Sequence, residues 1–167
     1  MNLYLLRHGI AVEPGTPGFE NDAERPLIPK GERRLHAAAA AMEKMELSFD
    51  LVLSSPLVRA KQTAEIVASE MKLKKRLQFS DALAPGGGVK HLIRQLNELK
   101  PAPENVLLVG HEPSLSRLIS LLVAGDETAA VEMKKGGLCK LEVPELHHGR
   151  CAKLIWLLTP AQMELMA

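Results

Sequence analysis

Four apolar residues, Leu3-Tyr4-Leu5-Leu6, run without a break into Arg7-His8-Gly9. A continuous apolar run of this length, with no alternation, is a strand buried on both faces, and such strands belong to the centre of parallel sheets. A parallel sheet in turn requires crossover helices on its two faces. The run ends on a guanidinium and an imidazole, so a buried strand presents a cation and a titratable base at its C-terminal edge. The remaining question is which later segments bring partners to Arg7 and His8.

The rest of the chain repeats a strand–helix alternation. Residues 10–28 hold three prolines, two glycines and several charges, and read as a long surface loop beginning next to His8; loops this long are usually functional or mobile. Pro29 suits the first position of a helix, with Leu35, Ala38, Ala39, Met42 and Met45 on one face. Asp50–Ser54 is a second strand. Ser55-Pro56 is expected to cap and open the next helix, whose inward positions are Ala60, Ala64, Val67 and Met71 and whose first turn carries Arg59. Leu77–Phe79 is a weak strand. Ala84–Gly88 is a loop, and its three glycines lack the strand and the lysine–serine of a phosphate loop. Val89–Leu99 is helical, and Lys100-Pro101-Ala102-Pro103 ends it. Asn105–Val109 is a clear strand followed by Gly110-His111, and Pro113 opens a helix facing inward through Leu115, Leu118, Ile119 and Leu122. Strands are expected near Leu138–Val143 and Ala152–Leu158. Thr159-Pro160-Ala161-Gln162 has the form of a capping box at the start of a last helix. This order predicts an α/β fold, a mostly parallel sheet between helical layers. The short turn between the last two strands requires one of them to run antiparallel. No repeat or linker divides residues 1–167, so a single domain is expected, long enough to bury roughly 70% of its unfolded surface.

Composition narrows the function. Net charge is only +1 and aromatics are 3% of residues, which leaves neither the basic field nor the stacking platforms of a nucleic-acid binder. No apolar run approaches the ~20 residues of a membrane span, and residues 1–9 do not resemble a signal peptide. A cytoplasmic monomer is expected. Cys139 and Cys151 have no metal or redox spacing and read as reduced thiols. His36, His91, His147 and His148 read as surface residues, and Lys72–Arg76 as a solvated helix end.

In open α/β sheets ligands bind beyond the carboxyl ends of the strands. Arg7-His8, Arg59 and His111 all arrive at that edge, joined by the N-termini of the helices expected at Pro56 and Pro113. Two arginines, two histidines and two helix ends form a cationic pocket suited to a phosphoryl group. A neutral imidazole there can attack phosphorus and carry the phosphoryl group covalently, while the arginines hold the charged oxygens.

These residues carry a resemblance. Leu6-Arg7-His8-Gly9 resembles the RHG signature of the histidine phosphatase superfamily, the phosphoglycerate mutase-like fold. Leu53–Thr63 is similar to that family's SSPLxRAxQT segment, and Val109-Gly110-His111-Glu112-Pro113 to its second-histidine motif. Asn21–Gly31, with Arg25-Pro26-Leu27 and Gly31, resembles the RPLTxxG segment of the short SixA-type phosphohistidine phosphatases. The order and spacing agree over essentially the whole chain. The resemblance implies a three-layer α/β/α sandwich with a six-stranded sheet, and adjacent strands bearing His8 and His111. It implies His8 as nucleophile, and Arg7, Arg59 and His111 as the phosphate pocket, with Gly9 beside it and Arg25 closing over the phosphate. It implies no metal or organic cofactor, and a phosphohistidine-containing protein as partner. Three other readings remain open: a phosphatase of small phosphate monoesters, a phosphoprotein-binding module without turnover, and a metal-dependent hydrolase. The chain departs from the pattern at Ile10, at Ile28, where a threonine would cap the helix, and at the general acid. Asp81 stands in the right region for that acid, but in no clear motif. A phosphohistidine leaving group is an imidazole and departs with little help, whereas an alkoxide needs a proton.

Overall fold

A computed structural model describes residues 1–167. Six strands form one sheet: β1 (Asn2–Arg7), β2 (Leu51–Ser54), β3 (Leu77–Phe79), β4 (Asn105–Gly110), β5 (Leu138–Glu142) and β6 (Lys153–Leu158). Their order across the sheet is β3-β2-β4-β1-β5-β6. β5 pairs antiparallel with both β1 and β6, so it alone runs against the other five. The short turn after β5 forces that reversal, as expected from the sequence.

β1 and β4 lie side by side in parallel, with Arg7 opposite Gly110. The His8 N–H donates to the Gly110 carbonyl at 3.0 Å, which extends the pairing one residue past the strands. This register sets His8 and His111 next to each other.

The helices are α1 (Pro29–Lys44), α2 (Val58–Glu70), α3 (Val89–Glu98), α4 (Ser114–Ala124) and α5 (Pro160–Met166). Successive strand side chains point to opposite faces, and two cores follow. Leu3, Leu5, Leu53, Val106 and Leu108 pack against Leu92 and Leu96 of α3 and Leu115, Leu118 and Ile119 of α4. Tyr4, Leu6, Val52, Leu107 and Val109 face Ala38 and Met42 of α1, Ala60, Ala64 and Val67 of α2, and Met163 of α5. The alanine-rich faces of α1 and α2 let these helices pack closely on the sheet. Thr159 and Gln162 form the expected capping box of α5.

Two helix starts differ from the sequence reading. α2 begins at Val58, after Pro56, and Leu57 is its cap position. α4 begins at Ser114, with Pro113 as its cap. For α2, the serine expected to cap the helix, Ser55, bonds His111.

Residues 10–28 are not a free loop. Ala11 and Leu27 make an antiparallel bridge, and a short 3₁₀ turn spans Asp22–Glu24. Gly31 of α1 lies so close to this strap that a Cβ there would meet the Ile10 carbonyl oxygen at 2.2 Å.

Candidate active site

His8, Arg25, Arg59 and His111 are all buried, and Arg7 is half-buried at the end of β1. The imidazoles of His8 and His111 stand 5.1 Å apart between ring centroids. His8 Nδ1 lies 2.7 Å from the Gly9 carbonyl oxygen. A carbonyl only accepts, so Nδ1 carries the hydrogen, and in a neutral ring Nε2 keeps its lone pair. The ring is neutral because burial, with the cations of Arg59 and Arg7 nearby, pushes its pKa from the ordinary histidine value down to about 3. His8 therefore holds an unprotonated nitrogen at neutral pH.

His111 is also neutral. Burial first, then Arg59, lowers its pKa to about 4. Its Nε2 is 2.8 Å from Ser55 Oγ. That hydroxyl accepts the Leu57 N–H, and the only acceptor within reach of its own hydrogen is His111 Nε2. The ring hydrogen is then on Nδ1, a buried donor with no partner. Ser55 thus orients the second histidine instead of capping α2, and the helix starts two residues later than its hydroxyl would suggest.

The arginines are similarly arranged. Arg7 Nη1 donates to the Met133 carbonyl at 2.7 Å, while its Nε is buried and unpaired. Arg59 Nε is likewise unpaired. Its Nη1 donates to the Asp22 carbonyl at 2.7 Å and its Nη2 to Asp22 Oδ2 at 3.0 Å. Arg25 Nη2 and Nε both approach Asp22 Oδ1, at 2.7 and 2.9 Å. Three N–H donors, on Arg7, Arg59 and His111, are left buried and unsatisfied, which is costly unless a ligand accepts them.

Gly9 plays a different part from the one expected. Its N–H donates to Thr63 Oγ1 at 3.0 Å and its carbonyl fixes the His8 tautomer, so its amide is committed within the protein. Thr63 in turn donates to the Arg59 carbonyl, tying α2 to the end of β1. The first-turn amide of Ser116 in α4 is taken by the Glu112 carboxylate at 3.1 Å, so it too is not free for an anion.

Asp81 is not brought to these groups. It is exposed, follows β3, and lines a separate recess of about 430 Å³ with Phe79, His91, Arg94 and Gln95. Asp22, Ser55 and Thr63 were not singled out as site residues by the sequence. Ser55 and Thr63 stand inside the Leu53–Thr63 motif, which was the available signal. Asp22 had no signal beyond its nearness to Arg25.

No three His, Cys, Asp or Glu side chains cluster to ligate a metal ion. Cys139 and Cys151 are free thiols, and burial raises Cys139 to about 12. No helix is long and apolar enough to cross a membrane.

Residues 3–84 match the model of the histidine phosphatase superfamily (branch 1). The phosphohistidine phosphatase SixA of Escherichia coli is 31% identical over 129 residues, covering 75% of this chain and 76% of that one. The chain belongs to the histidine phosphatase superfamily. An uncharacterized Picosynechococcus protein is 36% identical over 142 residues, 84% of each chain. The structure of the protein histidine phosphatase SixA complexed with tungstate superposes with a TM-score of 0.81, covering 96% of this chain and 98% of that one at 24% identity. The superfamily fold explains the sheet order and the adjacency of β1 and β4.

Proposed function

We propose that this chain is a metal-independent phosphohistidine phosphatase acting in the cytoplasm as a monomer on a phosphorylated signalling or phosphotransfer protein. The observation that carries the reading is the state of His8: a buried neutral imidazole with Nδ1–H tied to Gly9 and Nε2 unprotonated, beside three unpartnered donors. Nε2 attacks the phosphorus of the substrate. Solvent protonates the far nitrogen of the substrate imidazole, the bond from phosphorus to the near nitrogen breaks, and the ring leaves as neutral imidazole with the bonding pair. The phosphoryl oxygens accept from Arg7 Nε, Arg59 Nε and His111 Nδ1, which stabilise charge spread over the transferring group. Water then attacks phospho-His8, inorganic phosphate departs, and the imidazole is restored.

The choice of phosphoramidate over phosphate monoester rests on the leaving group. An alkoxide needs a proton donor, and Asp81, the one acid the sequence offered, lines another recess. An imidazole leaves without such a donor. SixA, a relative in sequence and fold, is named for phosphohistidine, and its structure is known complexed with tungstate, a phosphate-like oxyanion.

The test is a parallel assay on a phosphohistidine peptide, a phosphoserine peptide and small phosphate monoesters, with chelator present throughout. Turnover is expected on phosphohistidine and at least about tenfold less on the others. Quenching at alkaline pH is expected to trap acid-labile phosphate on His8, and His8→Ala to abolish both trapping and turnover. Activity that needs a metal ion, or full activity of His8→Ala, would overturn the mechanism.

A further inference from the structure

Asp22 occupies the arginine side of the phosphate pocket. Both terminal nitrogens of Arg59 are spent on it, one on its carbonyl and one on Oδ2. Its other carboxylate oxygen takes Nε and Nη2 of Arg25. Two guanidinium groups on two oxygens is the pattern by which arginines hold a phosphoryl group. Asp22 is nonetheless poorly anchored for a structural ion pair. Its side chain is 58% exposed, whereas those of Arg25 and Arg59 are 9% and 5% exposed, so the carboxylate can leave into water while the cations stay in place.

The unpaired donors give the exchange its direction. A planar carboxylate with two oxygens leaves Arg7 Nε, Arg59 Nε and His111 Nδ1 without partners. A tetrahedral phosphoryl group brings more oxygens and more charge, and can satisfy donors that Asp22 leaves empty. We propose that Asp22 is a built-in occupant of the phosphate pocket that exchanges with the substrate's phosphoryl group on Arg59 and returns to displace product phosphate.

Asp22 is thereby an affinity-setting residue: it weakens every phosphate ligand by the fraction of time it holds Arg59, and it hastens product release. The inference rests on the phosphate pocket of the proposed function, though not on the identity of the phosphorylated substrate. The contrary view, that Asp22 positions the two arginines for substrate, predicts the opposite sign.

The experiment uses inorganic phosphate as the probe, with calorimetric binding and product-inhibition constants for wild type, Asp22→Asn, Asp22→Ala and Asp22→Glu. Asp22→Asn and Asp22→Ala are expected to bind phosphate roughly tenfold more tightly and to be more strongly product-inhibited. Asp22→Glu, which keeps the carboxylate, is expected to stay nearer wild type. In wild type, phosphate is expected to speed amide exchange at residues 21–25 as the strap releases. Phosphate binding unchanged or weaker in both Asn and Ala variants overturns the exchange and leaves the pocket standing. No phosphate binding by any of the four proteins overturns the pocket itself, and the exchange with it.

Discussion

At the residue scale, the site is governed by two neutral histidines whose hydrogens are placed by their neighbours. Gly9 holds the hydrogen of His8 on Nδ1, and Ser55 holds that of His111 on Nδ1. Their lowered pKa values, about 3 and about 4, make a statement about stability as well. In the unfolded chain each histidine takes a proton near pH 6.5, and in the folded chain only near 3 or 4. Between those limits the unfolded state binds more protons, so stability falls as the pH drops. At pH 5 the loss is about 2 kcal/mol for each histidine relative to neutral pH. Urea unfolding at pH 7 and pH 5 should show this loss, and His8→Asn should remove about half of it. A wild type equally stable at the two values would show that the rings are not held neutral by burial. Catalysis by a neutral His8 should in turn keep its nucleophile unprotonated well below pH 6.

At the element scale, the strap of residues 10–28 is held against the start of α1. The Ile28 N–H donates to the Ile10 carbonyl at 3.0 Å, and Gly31 leaves room for that carbonyl. A Cβ at 2.2 Å from a backbone oxygen cannot be absorbed by a rotamer change. Gly31→Ala is therefore expected to push the strap away from α1, costing about 2 kcal/mol or more in chemical unfolding. Because Arg25 rides on the strap, the same variant should raise KM through loss of that arginine, while His8 remains phosphorylatable. An unchanged KM with lowered stability would uncouple the strap from the pocket. The glycine of the RPL segment is thus explained by a close approach of backbone, and not by an unusual backbone angle. Ile28 gives α1 no side-chain cap, as its replacement of a threonine implied.

At the scale of the whole molecule, one sheet feeds two cores, and β4 lies among the strands that serve both. Leu108 faces α3 and α4 while Leu107 faces α1 and α2, and both are fully buried. Leu108→Ala should cost about 2–5 kcal/mol, a large part of the stability of any domain this size. Because β4 presents His111, activity should be lost in step with the folded fraction in a urea titration. Leu165→Ala, at an 89% exposed position of α5, should change stability by less than about 0.5 kcal/mol. Equal effects of the two substitutions would contradict the two-core description.

Much of this was legible in order along the chain. Proline and glycine punctuation, strand-length apolar runs and helical spacing are local signals, and they located all six strands and five helices. The polar ends of β1 and β4 announced a site because a strand buried on both faces leaves its charged residues only one place to go. Tertiary structure alone decided three other matters. Ser55 could cap a helix or orient a histidine, and the choice depended on His111, 56 residues away. Asp81 could be an acid or a turn residue, and the fold left its side chain exposed in a separate recess beside α3. Asp22 is one of several acids in a surface loop, and only the folding of that loop over α2 set its carboxylate on two buried arginines. Backbone periodicity and chain breaks are written locally. Which of several equivalent polar side chains meets a given partner depends on contacts between segments far apart in sequence.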